Sequence, residues 1–494
     1  MGKGLKKKTA VGLGWSFADG ALNQGIRFIV GLILARMLSP HDYGLIGIAL
    51  IFVSVLEDVI DGGFTNALIQ KYAPTAKDYS TAFLANIVLS ILLYALLFLS
   101  SPLIATFFKE DQLVSLVRVI SIILFIDALV FVPKARLIKK MDFKVQTKIS
   151  FSSNILSAIV GIAMAVEGFG VWALVGQQLS RHLLQTILFW MASKWDIPLV
   201  FSRESFNSLF SFGSKLLISD FINSVYRQLY QIVIGKFYHP VTLGYYTRAH
   251  QFSSLFSLTF TQMVQKVSFP ALSSIQDNEA KMLSAYKMLI KSAMYVDFIC
   301  MLVLAASARP MVVALVGEKW LPAVPYLQIL CFSMLLYPLH AINLNMLKVK
   351  GRSDLFLKLE ILKKIIGLIP LTLGIFVGIY WMLIGSVVEN LIGFFINSYY
   401  SRHLIGYGSI QQILDLMPSL LLAITVSVLT FLLAFLPFSD YVVFPLQVVM
   451  AVALAIGLSE ITRIEPYLEI KKMATNYISS HIHRYQNGFI HRNR

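Results

Sequence analysis

The chain has 494 residues, 57% hydrophobic and 14% charged, with a formal charge of +16 from 42 Lys and Arg against 26 Asp and Glu. A soluble domain of this length has too little interior to hide so much apolar side chain, which excludes a water-soluble globular protein. The basic residues sit in short segments between apolar runs, so the charge reads as membrane topology and contact with anionic headgroups, and nucleic acid is not an expected partner.

The apolar runs, such as 86–100 and 420–436, do not alternate in polarity. Runs of about 20 residues suit helices crossing a hydrocarbon core of about 30 Å, whereas barrel strands need only about 10. In chain order, spans are predicted near 11–38, 43–62, 79–101, 113–136, 149–166, 169–191, 207–237, 242–268, 284–308, 322–347, 356–377, 379–400, 413–436 and 441–462. The narrowest separation is at Gly378-Ile-Tyr-Trp, which must turn the chain between two helices. The fold class expected is therefore all-α, a polytopic membrane protein of about fourteen transmembrane helices.

The connections alternate between two sets. One holds the N-terminus (Lys3, Lys6, Lys7, Lys8), 134–148 (Lys134, Arg136, Lys139, Lys140, Lys144, Lys148), 348–364 and the tail (Lys471, Lys472, Arg484, Arg492, Arg494). The other holds Ser39-Pro-His-Asp, Lys109-Glu-Asp, Glu167-Gly-Phe-Gly, His239-Pro, Gly317-Glu-Lys and Phe438-Ser-Asp. The first set is far richer in Lys and Arg, which places it and both termini in the cytoplasm and makes the number of spans even. The basic start lacks a cleavage site after its first apolar segment and reads as a stub on a retained helix. Cys300 and Cys331 lie inside apolar runs and offer no disulfide framework. The histidines of the tail, His481, His483 and His491, read as part of a solvated basic end.

An internal repeat organises these spans. At an offset of 200 residues, Asn23, Arg27, Pro40, Gly44, Ala49, Phe52 and Ser54 are matched by Asn223, Arg227, Pro240, Gly244, Ala249, Phe252 and Ser254. Each copy is a long helix, a proline turn and a second helix. Six spans separate the copies, so both have the same orientation, which implies a pseudo-twofold axis along the membrane normal. The expected domains are two pseudo-symmetric six-helix lobes, N-terminal at 1–200 and C-terminal at 201–405, then two additional helices at 406–465 and a basic cytoplasmic tail at 466–494. Two such lobes can rock around a central site, a basis for alternating access.

No enzymatic constellation stands out: there is no P-loop, no Gly-x-Ser-x-Gly and no Cys/His set at metal spacing. No cofactor and no metal is expected. What remains is charge inside the membrane, which is costly and faces a cavity or a partner. Asp19, Asn23 and Arg27 share one face of the first helix, and Asp220, Asn223 and Arg227 repeat the arrangement in the seventh. The two arginines, with Arg248 on the next helix and Asn23 and Asn223 on the same helix faces, form a candidate substrate-binding site, because a planar guanidinium suits bidentate capture of phosphate. Asp127 and Glu389, with Asp19 and Asp220, are candidate groups for proton or cation coupling, against a structural role as partners of Arg or Lys. Glu57, Asp58 and Asp61 cluster at the cytoplasmic end of the second helix, while Arg118, Arg181 and Arg309 lie nearer span ends, where snorkelling explains them. His340 and Asn343 share a face and suit either sugar hydroxyls or structural hydrogen bonds.

Eight blocks in order carry a family resemblance. They are Leu34-Ala-Arg-Met-Leu-Ser-Pro-His-Asp-Tyr-Gly44, Asp61-Gly-Gly-Phe-Thr-Asn-Ala-Leu-Ile-Gln70, Phe131-Val-Pro-Lys-Ala-Arg-Leu-Ile-Lys-Lys-Met-Asp-Phe-Lys144 and Gly168-Phe-Gly-Val-Trp-Ala-Leu-Val-Gly-Gln177. Leu243-Gly-Tyr-Tyr246, Phe269-Pro-Ala-Leu-Ser-Ser-Ile-Gln276, Gly317-Glu-Lys-Trp-Leu-Pro-Ala323 and Lys350-Gly-Arg-Ser-Asp-Leu355 follow. Together they resemble the polysaccharide transporter family of oligosaccharide flippases, within the multidrug/oligosaccharidyl-lipid/polysaccharide exporter superfamily, in its branch of colanic acid and teichuronic acid exporters. Lys134-Ala-Arg136 with Lys139-Lys140 departs from that pattern in being more basic.

The resemblance implies an inner-membrane protein around a V-shaped cationic cavity, with no enzymatic activity of its own. It implies export of an undecaprenyl-diphosphate-linked oligosaccharide from the cytoplasmic to the periplasmic leaflet for exopolysaccharide, capsule or O-antigen assembly. A cation-coupled drug antiporter of the same superfamily is the related alternative, and it needs acids dominating the cavity, whereas the repeated mid-helix charge here is Arg. A glycan polymerase or glycosyltransferase needs a sizeable external catalytic loop, which the short connections do not supply.

Overall fold

The structure is a computed structural model, and it describes residues 20, 22–139, 142–193, 198–473, 475 and 476. The N-terminal lysines, Asp19, Lys140 and the tail residues from 477 onward, with their three histidines, lie outside the described residues. Every regular element among the described residues is helical. In order they are α1 (22–37), α2 (Pro40–Gln70), α3 (Ala76–Phe108), α4 (Gln112–Ile120), α5 (Ile122–Lys139), α6 (Phe143–Val166), α7 (Val171–Ser193), α8 (Arg203–Phe237) and α9 (Pro240–Ser273). Then come α10 (Glu279–Ala306), α11 (Ala308–Val316), α12 (Val324–Met334), α13 (Tyr337–Val349), α14 (Ser353–Ile366), α15 (Leu368–Phe376), α16 (Ile379–Ile405), α17 (Ser409–Leu432) and α18 (Asp440–Thr462), followed by a helical stretch at 465–473, with short 3-10 turns at Glu318–Ala323 and Leu433–Phe435.

Polarity is arranged inside out. Along α3, Ser80, Thr81, Asn86, Ser90 and Ser101 are buried, while Leu92, Leu99 and Leu103 are more than half exposed. A water-soluble helix does the reverse. Among the described residues, nine helical segments are long and apolar enough to cross a membrane, and in the α3 segment only 28% of the most apolar window is buried. Leucines that face outward there cost nothing if the surrounding medium is hydrocarbon. The chain is a multi-pass membrane protein, and its helices follow one another in the predicted order.

The predicted spans 113–136, 322–347 and 356–377 are each broken into two helices, and a further short helix, α11, follows the span at 284–308; prolines account for two of the breaks and for the start of α11. Proline has no N–H to close the preceding turn, and its ring crowds the carbonyl four residues back. Pro310 stands three residues past the break at Ser307, Pro338 two past Leu336, and Pro370 three past Gly367. The α4/α5 break at Ser121 has no proline, and nothing in the structure explains it. The predicted turn at Gly378 is present. Its φ of 149° and ψ of 162° lie where only glycine is unstrained, and α16 starts at the next residue.

The chain divides into two compact units, Met1–Thr247 and Arg248–Arg494, with the division inside α9. In the first unit Phe64 of α2, Phe83 of α3, Val132 of α5 and Leu209 of α8 form a buried cluster. In the second, Tyr286, Ile290 and Met294 of α10 pack against Ile342 and Met346 of α13, Phe394 of α16 and Leu416 of α17. Lipid is as apolar as leucine, so such contacts owe their worth to close packing, and interhelical hydrogen bonds matter correspondingly more.

The repeat has a spatial counterpart within the first unit. The chain enters α2 through Ser39-Pro40, where Ser39 and Asp42 close a reciprocal capping box, and enters α9 at Pro240. These two entries lie against each other. A Cβ on Gly44 would overlap the Pro240 carbonyl, and a Cβ on Gly244 would overlap the Pro40 carbonyl. His41 and His239, the neighbours of the two prolines, bring their rings to 6.0 Å. Glycine is required at both positions because a helix side chain there would occupy the other copy's backbone.

Candidate functional site

The first unit has a charged interior. On α7, His182, Thr186 and Trp190 recur every four residues and so share one face. All three bond to α5: His182 Nδ1 to Asp127 Oδ1 at 2.7 Å, Thr186 Oγ1 to the Ile126 carbonyl at 3.2 Å, and Trp190 Nε1 to the Leu129 carbonyl at 2.9 Å. Arg181 Nη2 stands 2.7 Å from His182 Nε2. A guanidinium only donates, so Nε2 accepts and the ring hydrogen lies on Nδ1, which donates to Asp127. The bond partners thus select one neutral tautomer of His182. Arg181, expected to snorkel, points inward to this relay.

Glu57 of α2 completes the group, with its carboxylate and the donor atoms of Asp127 and His182 all within 4.8 Å of one another. That spacing is compatible with a metal ion, but the donor set is not. Both imidazole nitrogens of His182 are already engaged, and the Arg181 cation sits against the ring. The arrangement holds two acids, a neutral imidazole and a guanidinium in a shared hydrogen-bonded network, suited to holding or moving a proton.

The predicted cationic residues occupy different settings. Arg227 of α8 donates through Nη2 to Asp58 Oδ2 of α2 at 2.5 Å. One residue on, Gln228 Nε2 donates to Ser54 Oγ of α2 at 3.0 Å, so the two helices are joined along a polar seam. Arg27 is exposed and turns its Nε back to the Asn23 carbonyl at 3.3 Å. Asn23 itself is buried and accepts from Asn154 of α6 at 2.7 Å. Asn223 and Asp220 are half-buried on α8. The Arg227–Asp58 pair was not legible beforehand, since 169 residues separate the partners.

In the second unit, Arg248 is buried, with its guanidinium 5.4 Å from the Trp320 ring centre and Nη1 donating to Gln251 at 2.7 Å. Glu389 is half-buried on α16. Asn343, considered for sugar contact, is fully buried instead. Its Oδ1 accepts from Tyr286 of α10, from Ser401 of α16 at 3.0 Å and from Gln412 of α17 at 3.2 Å, so four helices meet at one amide. His340 Nδ1 accepts from Asn397 Nδ2 at 3.0 Å.

This architecture has known counterparts. The chain is 33% identical over 302 residues to the teichuronic acid biosynthesis protein TuaB of Bacillus subtilis, covering 60% of this chain and 62% of that one. It is 25% identical over 321 residues to the succinoglycan biosynthesis transport protein ExoT of Rhizobium meliloti, covering 65% of each. Each match thus spans just under two thirds of the relative's own length. Among solved structures, the fold resembles the lipid II flippase MurJ in an inward closed conformation, with a TM-score of 0.74 and 15% identity over 92% of this chain and 98% of that one. A family model described as polysaccharide biosynthesis protein matches residues 33–325, more than half of the length, and the chain belongs to that family.

Proposed function

We propose that this protein flips a polyprenyl-diphosphate-linked oligosaccharide, of the undecaprenyl type, from the cytoplasmic to the periplasmic leaflet of the inner membrane, for exopolysaccharide, capsule or O-antigen assembly. The observation that carries the reading is the family match over 33–325 in a chain whose regular elements are all helical and whose outward faces are apolar. A glycan cannot cross hydrocarbon unaided, because each hydroxyl stripped of hydrogen bonds costs roughly 2–7 kcal/mol. The protein must supply a polar path for the sugar and a cation for the diphosphate while the polyprenyl tail stays in lipid.

Arg27 and Arg227 are the proposed diphosphate ligands, with Asn23 and Asn223 on the same helix faces as their positioning partners. Arg248 is the third member of the set, and its burial over Trp320 gives it the smaller effect. Two six-helix lobes rock about the site to give alternating access, both termini face the cytoplasm, and the last two long helices, α17 and α18, lie outside the repeat. Asp127, within its relay to His182 and Arg181, is the proposed proton-coupling group, with Asp220, Glu389 and Asp19 as further candidates. In proteoliposomes, the protein should move a fluorescent polyprenyl-diphosphate glycan between leaflets; no movement of any lipid-linked glycan overturns the reading. Arg27→Ala and Arg227→Ala should each reduce export with membrane insertion intact, and normal surface polysaccharide in the double variant overturns the cationic-site assignment.

A further inference from the structure

The cation expected to take the substrate's phosphate already holds an anion. Arg227 donates to Asp58 at 2.5 Å, and the two side chains remain 60% and 41% exposed. A bare arginine in a membrane interior is costly, so a nearby carboxylate is its natural partner when nothing else is bound. Asp58 is also well placed to let go. Its neighbour Glu57 lies with Asp127 and His182, and Ser54, one turn earlier, holds Gln228. The α2 backbone is therefore anchored through the turn that leads into Asp58, and only the carboxylate need swing away. An exposed pair of this kind is weak enough for a diphosphate, with more charge and more acceptor oxygens, to displace it.

We propose that Asp58 is an internal stand-in for the lipid's phosphate: it neutralises Arg227 in the empty protein, yields to the diphosphate, and recaptures Arg227 to speed release. This rests on the reading of Arg227 as a phosphate ligand. Asp58 thereby weakens binding and raises turnover, which is what a carrier needs from a site it must empty in every cycle. The test is binding of labelled farnesyl diphosphate to the full chain in zwitterionic lipid nanodiscs, with dissociation rates measured on the same samples. Asp58→Asn, and Asp58→Ser as a second variant, should bind about two- to five-fold tighter and release correspondingly more slowly. Arg227→Gln should bind more weakly, and adding Asp58→Asn to it should change nothing. If Arg227→Gln weakens binding while neither Asp58 variant tightens it, the stand-in is overturned and the phosphate reading survives. If Arg227→Gln binds as the parent does, Arg227 is no phosphate ligand and both fall.

Discussion

The two units bury polar groups of different kinds. The first encloses charge: Glu57, Asp127 and Arg181 around His182, with Arg227 on Asp58 nearby. The second joins its helices mainly through neutral groups, with Asn343 bonded to Tyr286, Ser401 and Gln412, Ser386 to Ser333, and Tyr295 to Ser459, while its buried Arg248 lies over Trp320. Both solutions tie helices together through buried polar groups, but they differ in what they can do. A neutral network fixes helix positions and has no reason to respond to pH or to an ionic ligand. A charged one stores electrostatic energy that a proton or a phosphate can change. On the proposed reading, the charged relay of the first unit is where an ion acts, and the neutral network of the second holds helices in place.

The largest effect should come from Asp127→Ala. It leaves Arg181 and His182 without their acid, and breaking such a buried pair costs about 3–5 kcal/mol, visible as a large drop in thermal stability in detergent. Asp127→Asn keeps an acceptor for His182 Nδ1 and should restore most of that stability while leaving export impaired. Export at the parent level would remove the functional half of the contrast. Next in size is Gly44→Ala, where the new methyl meets the Pro240 carbonyl and forces backbone apart, at about 1–3 kcal/mol. Asn343→Ala in the second unit should cost a similar amount, about 1–3 kcal/mol, from orphaned partners alone. Export per folded molecule should be unchanged, and a specific transport defect would break the contrast. Smallest is Asp297→Asn. This acid is buried in α10 with no hydrogen-bond partner for Oδ2. The amide has the same shape and breaks no hydrogen bond on that side, so it should match the parent in stability and transport. A transport loss at unchanged stability would place a responsive acid in the second unit.

How much was readable beforehand follows from the range of each interaction. Span positions depend on local hydropathy, and the Gly378 turn and the breaks that follow from Pro310, Pro338 and Pro370 obey rules acting over a few residues. The repeat pointed to Pro40, Gly44, Pro240 and Gly244, and these are the residues that touch. The pairing of charges was not readable, because periodicity gives the face of a helix without naming the helix opposite. Arg181 near a span end looked like a snorkelling residue, and only the fold brings it to His182 and Asp127. The available signal was the presence of unpaired acids and bases in separate spans, which must find one another in hydrocarbon. Asn343 was ambiguous for the converse reason: an amide reads alike whether its partner is a sugar or a side chain.

The reciprocal seating of Gly44 and Gly244 has a genetic consequence. Each glycine makes room for the proline carbonyl of the other copy, so one contact surface is encoded twice, 200 codons apart. A mutation in either codon damages the same joint, and no second mutation in the other copy repairs it, since the obstructed atom is backbone. Elsewhere the copies are free to drift apart. At this joint they must stay alike.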